Sequence, residues 1–152
     1  MSVGRHPGTA SFRLSSVYAV PPMEGVGGGE FYNCAMTGEW TADPGELVRL
    51  CRRIESDEGS AVSKHRGARS LDVDILFFDG LTSLDGGITL PHPRMHLRGF
   101  VLVPLREVWP DTLPGLGATA ESLLAECPAD GHIIRVTEIP APGAYWSGTD
   151  AR

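Results

Sequence analysis

Residues 71–78 read Leu-Asp-Val-Asp-Ile-Leu-Phe-Phe, and no other stretch restricts the possible folds as much. Leu71, Val73, Ile75 and Phe77 alternate with Asp72, Asp74 and Leu76, the period of a strand with one buried face. Both carboxylates then project from the same face, roughly 6.5–7 Å apart along the backbone. Two anions so placed repel unless a cation or a proton comes between them. Lys64, His65, Arg66 and Arg69 lead into the run, and His92, Arg94, His96 and Arg98 follow it. Paired acids flanked by bases suit a metal-bound polyphosphate.

An exposed edge strand would also explain the pair. Against that, the run is strongly apolar, which places the strand in the centre of a sheet, and acids are poor strand formers. A magnesium site gives a reason for them: hard oxygen ligands, few protein carboxylates, and substrate phosphates to complete the shell. Two ions bridged by such acids clamp phosphates for an in-line transfer. Arg66 and Arg69 pair with the acids or, with metals holding the acids, bind phosphate through two parallel hydrogen bonds.

The chain has 152 residues, the length of one domain that buries about two-thirds of its unfolded surface. Residues 1–10 have no periodicity and read as irregular, and 128–152 as a C-terminal tail. A net charge of −6 speaks against nucleic acid as a partner, so the local basic clusters point to a small anionic ligand. No apolar run is long enough to cross a membrane. Cys34, Cys51 and Cys127 are far apart, without metal or redox spacing, which suits a reduced, cytoplasmic protein.

Residues 11–20 and 30–40 read as two strands forming an antiparallel pair across the Pro- and Gly-rich 21–29. That loop lacks the Gly-Lys-Ser/Thr of a nucleotide cradle and reads as a connector. Asp43-Pro-Gly-Glu46 starts a helix, with an acid at the cap and proline in the first turn. Leu47, Leu50, Cys51 and Ile54 continue it to near Gly59. After the 71–78 strand come an apolar segment at 99–109, a short helix at 119–127 and a late strand at 133–139. The order is that of an α+β fold. His92 and His96 are four apart, but the neighbouring prolines speak against a helical zinc pair.

Two motifs then carry a likeness. Gly67-Ala-Arg-Ser-Leu-Asp-Val-Asp-Ile-Leu76 and Leu90-Pro-His-Pro-Arg-Met-His-Leu-Arg-Gly-Phe-Val-Leu-Val-Pro-Leu-Arg-Glu107 resemble the 6-hydroxymethyl-7,8-dihydropterin pyrophosphokinase family. Upstream, Ser16-Val-Tyr18, Pro21-Pro22, Phe31-Tyr-Asn33 and Arg53-Ile-Glu55 extend the likeness, which covers about residues 11–115. The resemblance implies a ferredoxin-like antiparallel sheet with helices on one face. It also implies an N-terminally shortened version of it, since 1–10 do not match the family's opening strand and helix.

By the same resemblance, the activity is transfer of pyrophosphate from ATP to the pterin alcohol, releasing AMP, in folate biosynthesis. Asp72 and Asp74 hold two Mg²⁺ ions, and Arg69 acts with them in catalysis. Arg66, Arg69, Ile75, Thr89, His92 and Arg98 take the ATP side. Phe31 and Phe100 stack on the pterin, while Asn33 and the backbone of Val20, Pro21, Pro22 and Met23 read its polar edge. The expected partners are the two small-molecule substrates, and the expected state is a monomer or weak homodimer. A non-catalytic homologue that binds pterin or nucleotide is the alternative, and an interaction module whose acids are plain surface a third reading.

Overall fold

The computed structural model describes residues 2–20, 31–62, 71–84, 86–127 and 133–138. Their class is α+β with antiparallel sheets, as expected, and the strands group into three small sheets. Each expected long strand is split in two. The first becomes β1 (Thr9–Leu14) and β2 (Ser16–Val20), the second β3 (Phe31–Asn33) and β4 (Met36–Trp40). The breaks coincide at Ser15 and Ala35. The buried Ser15 hydroxyl donates to Ser16 O and accepts from Ala35 N, both at 2.8 Å, while Ser15 N donates to Ala35 O. A side chain that competes for backbone partners interrupts the ladder at that point.

The chain divides into two compact units. The first comprises Met1–Phe12, Gly38–Met95 and Pro114–Leu116. Its opening is not irregular throughout: a 3-10 turn, Val3–Arg5, precedes β1, and β1 pairs with β4. The helix foreseen at Asp43 is α1 (Pro44–Val62), three residues longer than the stop foreseen at Gly59. Its stripe of Val48, Leu50 and Cys51 is buried. Val48 packs with Leu84 and Leu90, from the short hairpin of β5 (Ser83–Leu84) and β6 (Ile88–Thr89) and the residue after it. Gly86 and Gly87 both take positive φ in the hairpin turn, a conformation open to glycine.

Residues 71–77 are not the central strand that their alternation suggests. Among the described residues no strand lies beside them to accept and donate along a ladder. What survives is the alternation: Asp72 and Asp74 are exposed, and Val73 and Ile75 are half-buried. Ile75 packs on the Val48, Leu84 and Leu90 cluster.

The second unit comprises Arg13–Thr37, His96–Leu113 and Gly117–Arg152. Here β2 lies between β3 and β7 (Ile134–Glu138), antiparallel to both. The apolar segment 99–109 is a helix, α2 (Gly99–Val108), in spite of Pro104. A proline inside a helix loses one hydrogen bond, usually at a cost of about 3 kcal/mol. Burial offsets it: Leu102, Pro104, Leu105 and Val108 all face the core. The helix packs on β2, β3 and α3 (Ala120–Glu126), whose Thr119 and Ser122 form a reciprocal cap.

Candidate functional site

In the first unit, the acid pair is held by its backbone. The Glu55 carboxylate accepts the Val73 N–H at 2.8 Å, at the residue between the two aspartates. Beyond them, Leu76 O accepts from His92 N at 2.6 Å, joining the acidic segment to the Pro-His-Pro loop. Leu90 N donates to Thr82 O at 2.9 Å, so the same loop is tied to the β5–β6 hairpin. His92 is half-buried and anchors the loop's turn: its Nδ1 accepts from Arg94 N and its carbonyl from Met95 N. Thr89 is exposed, opposite Ser83 in the hairpin. The structure thus brings Asp72, Asp74, Ile75 and His92 into one connected segment pair with Thr89 on the adjoining hairpin. Arg66 and Arg69 lie outside the described residues, as do Lys64 and His65.

Glu55 belongs to the Arg53-Ile-Glu55 stretch that extends the family likeness, but the sequence assigned it no role in the site. It lies four residues after Cys51 and seven after Val48, on the buried stripe of α1. An acid on an apolar stripe is the signal that would have found it. The Cys51 thiol records its presence: burial first, then the Glu55 charge, outweigh the thiol's backbone hydrogen bond and push its pKa up to about 11.

Two exposed carboxylates one residue apart suit a hard divalent cation that keeps phosphate oxygens in its shell. Among the described residues no group of three or more His, Cys, Asp or Glu could hold a metal ion. The two exposed carboxylates of Asp72 and Asp74 are donors that would fit such a cation, with most of its shell left to phosphate oxygens.

In the second unit, strand register gathers the residues expected on the pterin side. Val20 pairs with Phe31 and Tyr18 with Asn33. Paired residues and their neighbours two positions on share a face of the sheet. That face is the one on which α2 packs, since the Tyr18 hydroxyl donates to Glu107 of α2. Phe31 remains 54% exposed there. Glu107 also accepts from Ser16 N at 2.7 Å, and Val108 O accepts from Arg13 Nη2 at 2.6 Å. These bonds anchor the C-terminal turn of α2 at the start of β2. The helix α2 packs on β3 as well. The Arg98 guanidinium lies 5.7 Å from the centre of the Phe100 ring, in cation–π range. Pro21, Pro22 and Met23 lie outside the described residues.

The family model for 7,8-dihydro-6-hydroxymethylpterin-pyrophosphokinase matches residues 3–110, well over half of the chain. The chain belongs to this family. Among its relatives is a 2-amino-4-hydroxy-6-hydroxymethyldihydropteridine pyrophosphokinase of Methylorubrum extorquens, 33% identical over 125 residues, 82% of this chain and 78% of that protein. The protein of the same name from Mycobacterium tuberculosis is 33% identical over 149 residues, 89% of this chain and 79% of the relative. A folic acid synthesis protein of Dictyostelium discoideum is 32% identical over 111 residues, and the match spans only 17% of that longer protein. The pyrophosphokinase match takes in every residue discussed above up to Glu107, and stops short of α3 and β7.

Proposed function

We propose that this chain is a Mg²⁺-dependent pyrophosphokinase that transfers the β,γ-pyrophosphoryl group of ATP to 6-hydroxymethyl-7,8-dihydropterin, in folate biosynthesis. The observation that carries the reading is the exposed Asp72/Asp74 pair, held from behind by Glu55 and by the loop of His92 in a pyrophosphokinase-family chain. The hydroxymethyl oxygen attacks the β-phosphorus, the bond from that phosphorus to the α–β bridging oxygen breaks, AMP leaves, and the hydroxyl proton passes to solvent. Such a transfer asks the protein mainly for positioning and charge neutralisation.

Asp72 and Asp74 hold the cations, two in number, which neutralise the charge on the phosphate oxygens. Arg66, Arg69, Thr89, His92 and Arg98 bind ATP on its polar side, Arg69 also serving catalysis, and Ile75 offers an apolar side chain to the adenine. Phe31 and Phe100 sandwich the pterin, with Asn33 and the backbone at Val20, Pro21, Pro22 and Met23 on its hydrogen-bonding edge. Strand register supports that arrangement for Val20, Phe31 and Asn33. The domain takes in residues 1–152 and works in the cytoplasm as a monomer or weak homodimer. No helix among the described residues is long and apolar enough to cross a membrane.

Incubation with ATP, Mg²⁺ and the pterin alcohol, read by chromatography of nucleotides, should give AMP and pterin pyrophosphate in equal amounts. Asp72→Asn and Asp74→Asn should each lose at least about 100-fold in turnover. Both positions are exposed, so the melting temperature should move by no more than about 2 °C. A folded wild type that makes no AMP rejects the activity, and an Asn variant at the wild-type rate removes the role of that acid.

A further inference from the structure

In a sheet, the direction of a side chain is set by a ladder on either side of the strand. The segment that carries Asp72 and Asp74 has no such ladder among the described residues. Val73 N on Glu55, Leu76 O on His92 N and the half-buried side chain of Ile75 are among the contacts that hold it. Of these, the Glu55 bond is the one that falls between the two acids. Rotation of the Asp72–Val73 peptide would turn the Asp72 carboxylate away from that of Asp74. The Glu55 oxygen prevents it by holding the Val73 N–H toward the helix, which leaves Asp72 and Asp74 facing outward.

From this geometry we infer that Glu55 is the positioning residue of the acid pair: its carboxylate, bonded to Val73 N, sets the spacing at which Asp72 and Asp74 bind nucleotide-bound divalent cations. The inference rests on the catalytic reading above and adds to it a residue that meets neither substrate nor metal. The competing explanation is a bond that only fastens α1 to the following segment. That role would change stability and leave cation affinity alone.

The experiment measures Mn²⁺ binding by electron paramagnetic resonance in the presence of an ATP analogue with a methylene group between the α and β phosphorus atoms, where the reaction would otherwise cleave. Outer-shell partners of metal ligands are worth about 10–100-fold in affinity, so Glu55→Ala should bind Mn²⁺ at least about tenfold more weakly than the wild type. Glu55→Asp keeps the charge but withdraws the oxygen by about 1.5 Å, and should behave like Glu55→Ala. Glu55→Gln keeps an oxygen that accepts the Val73 N–H, and should stay within about threefold of the wild type.

Equal binding by wild type, Glu55→Ala and Glu55→Asp overturns the inference and leaves the catalytic reading standing. So does a Gln variant as weak as Ala, because the charge and not the tether would then be acting. A wild type that binds no Mn²⁺ with the nucleotide overturns the catalytic reading itself. If Glu55→Ala fails to fold, the Asp and Gln variants decide the matter.

Discussion

Replacing Glu107 by alanine tests whether the anchoring of α2 rests on the bonds seen here. The substitution leaves two donors without acceptors, Ser16 N and the Tyr18 hydroxyl, both in buried residues. A stranded buried donor costs about 1–3 kcal/mol. Glu107 is itself exposed, so water reaches the gap and the low end applies, about 1 kcal/mol for each donor and about 2 kcal/mol together. For a chain of this length 1 kcal/mol is worth about 2–4 °C, so Glu107→Ala should melt about 4–8 °C lower. Tyr18→Phe keeps the ring packing and lets the exposed carboxylate rehydrate, so it should lose only about 2 °C. The pH dependence gives an independent check. Burial pushes the Glu107 carboxyl up, but the Ser16 amide and side chain, the Tyr18 hydroxyl and the Arg135 charge outweigh it and hold the pKa below its ordinary value. A depressed carboxyl pKa stabilises the fold fully above its unfolded value and loses that contribution as pH falls through the folded value. Urea titrations from pH 8 to pH 3 should therefore show a steady gap between wild type and Glu107→Gln down to about pH 4.5, narrowing below it. Tyr18 runs the other way: burial first, then Glu107, raise its pKa, so wild type should weaken above about pH 10 and Tyr18→Phe less so. A Glu107→Ala protein melting within 1 °C of wild type, or a gap independent of pH, would refute the reasoning.

Two further substitutions separate pterin binding from folding. Phe100→Leu removes a ring at the start of α2; aromatic stacking is worth about 0.5–1.5 kcal/mol beyond area, so KM for the pterin should rise about 3–10-fold with KM for ATP little changed. An unchanged pterin KM takes Phe100 out of that site. Leu102 is fully buried in the same helix, and Leu102→Ala should cost about 2–5 kcal/mol, a melting temperature lower by about 10 °C, with the KM values of the surviving folded protein preserved. A loss below about 1 kcal/mol would mean that the helix is not seated on the core as described.

Some elements were legible because their signals are local. Asp43, Pro44 and Glu46 spell a helix start, and α1 begins at Pro44. Thr119 with Ser122 caps α3. Other elements depend on what lies next to them. Residues 99–108 carry a proline that argues against a helix, and only the burial of Leu102, Pro104, Leu105 and Val108 makes α2 worthwhile. The division of the first strands at Ser15 follows from a hydroxyl's choice of partners across to Ala35, which no pattern in either segment announces. The acidic run shows the limit most plainly. Its period of two survives in the exposure of Asp72 and Asp74, yet a strand is a property of at least two segments, and alternation in one cannot supply the neighbour.

The same asymmetry governs the site. Residue types suited to the proposed chemistry, such as the two aspartates, His92, Phe31 and Phe100, stand out from sequence because that chemistry is written in the side chain. Residues that hold the backbone behind them stand out less: Glu55 bonds a backbone amide eighteen positions later, and Glu107 one ninety-one positions earlier. Each has a weak mark all the same. Glu55 is an acid on the buried stripe of a helix, where desolvation disfavours a charge unless a hydrogen bond compensates it. That compensation is the Val73 N–H, and it joins the helix to the peptide between the two acids. An out-of-place charge on an otherwise apolar face is thus the sequence feature most worth following from a catalytic motif toward its support.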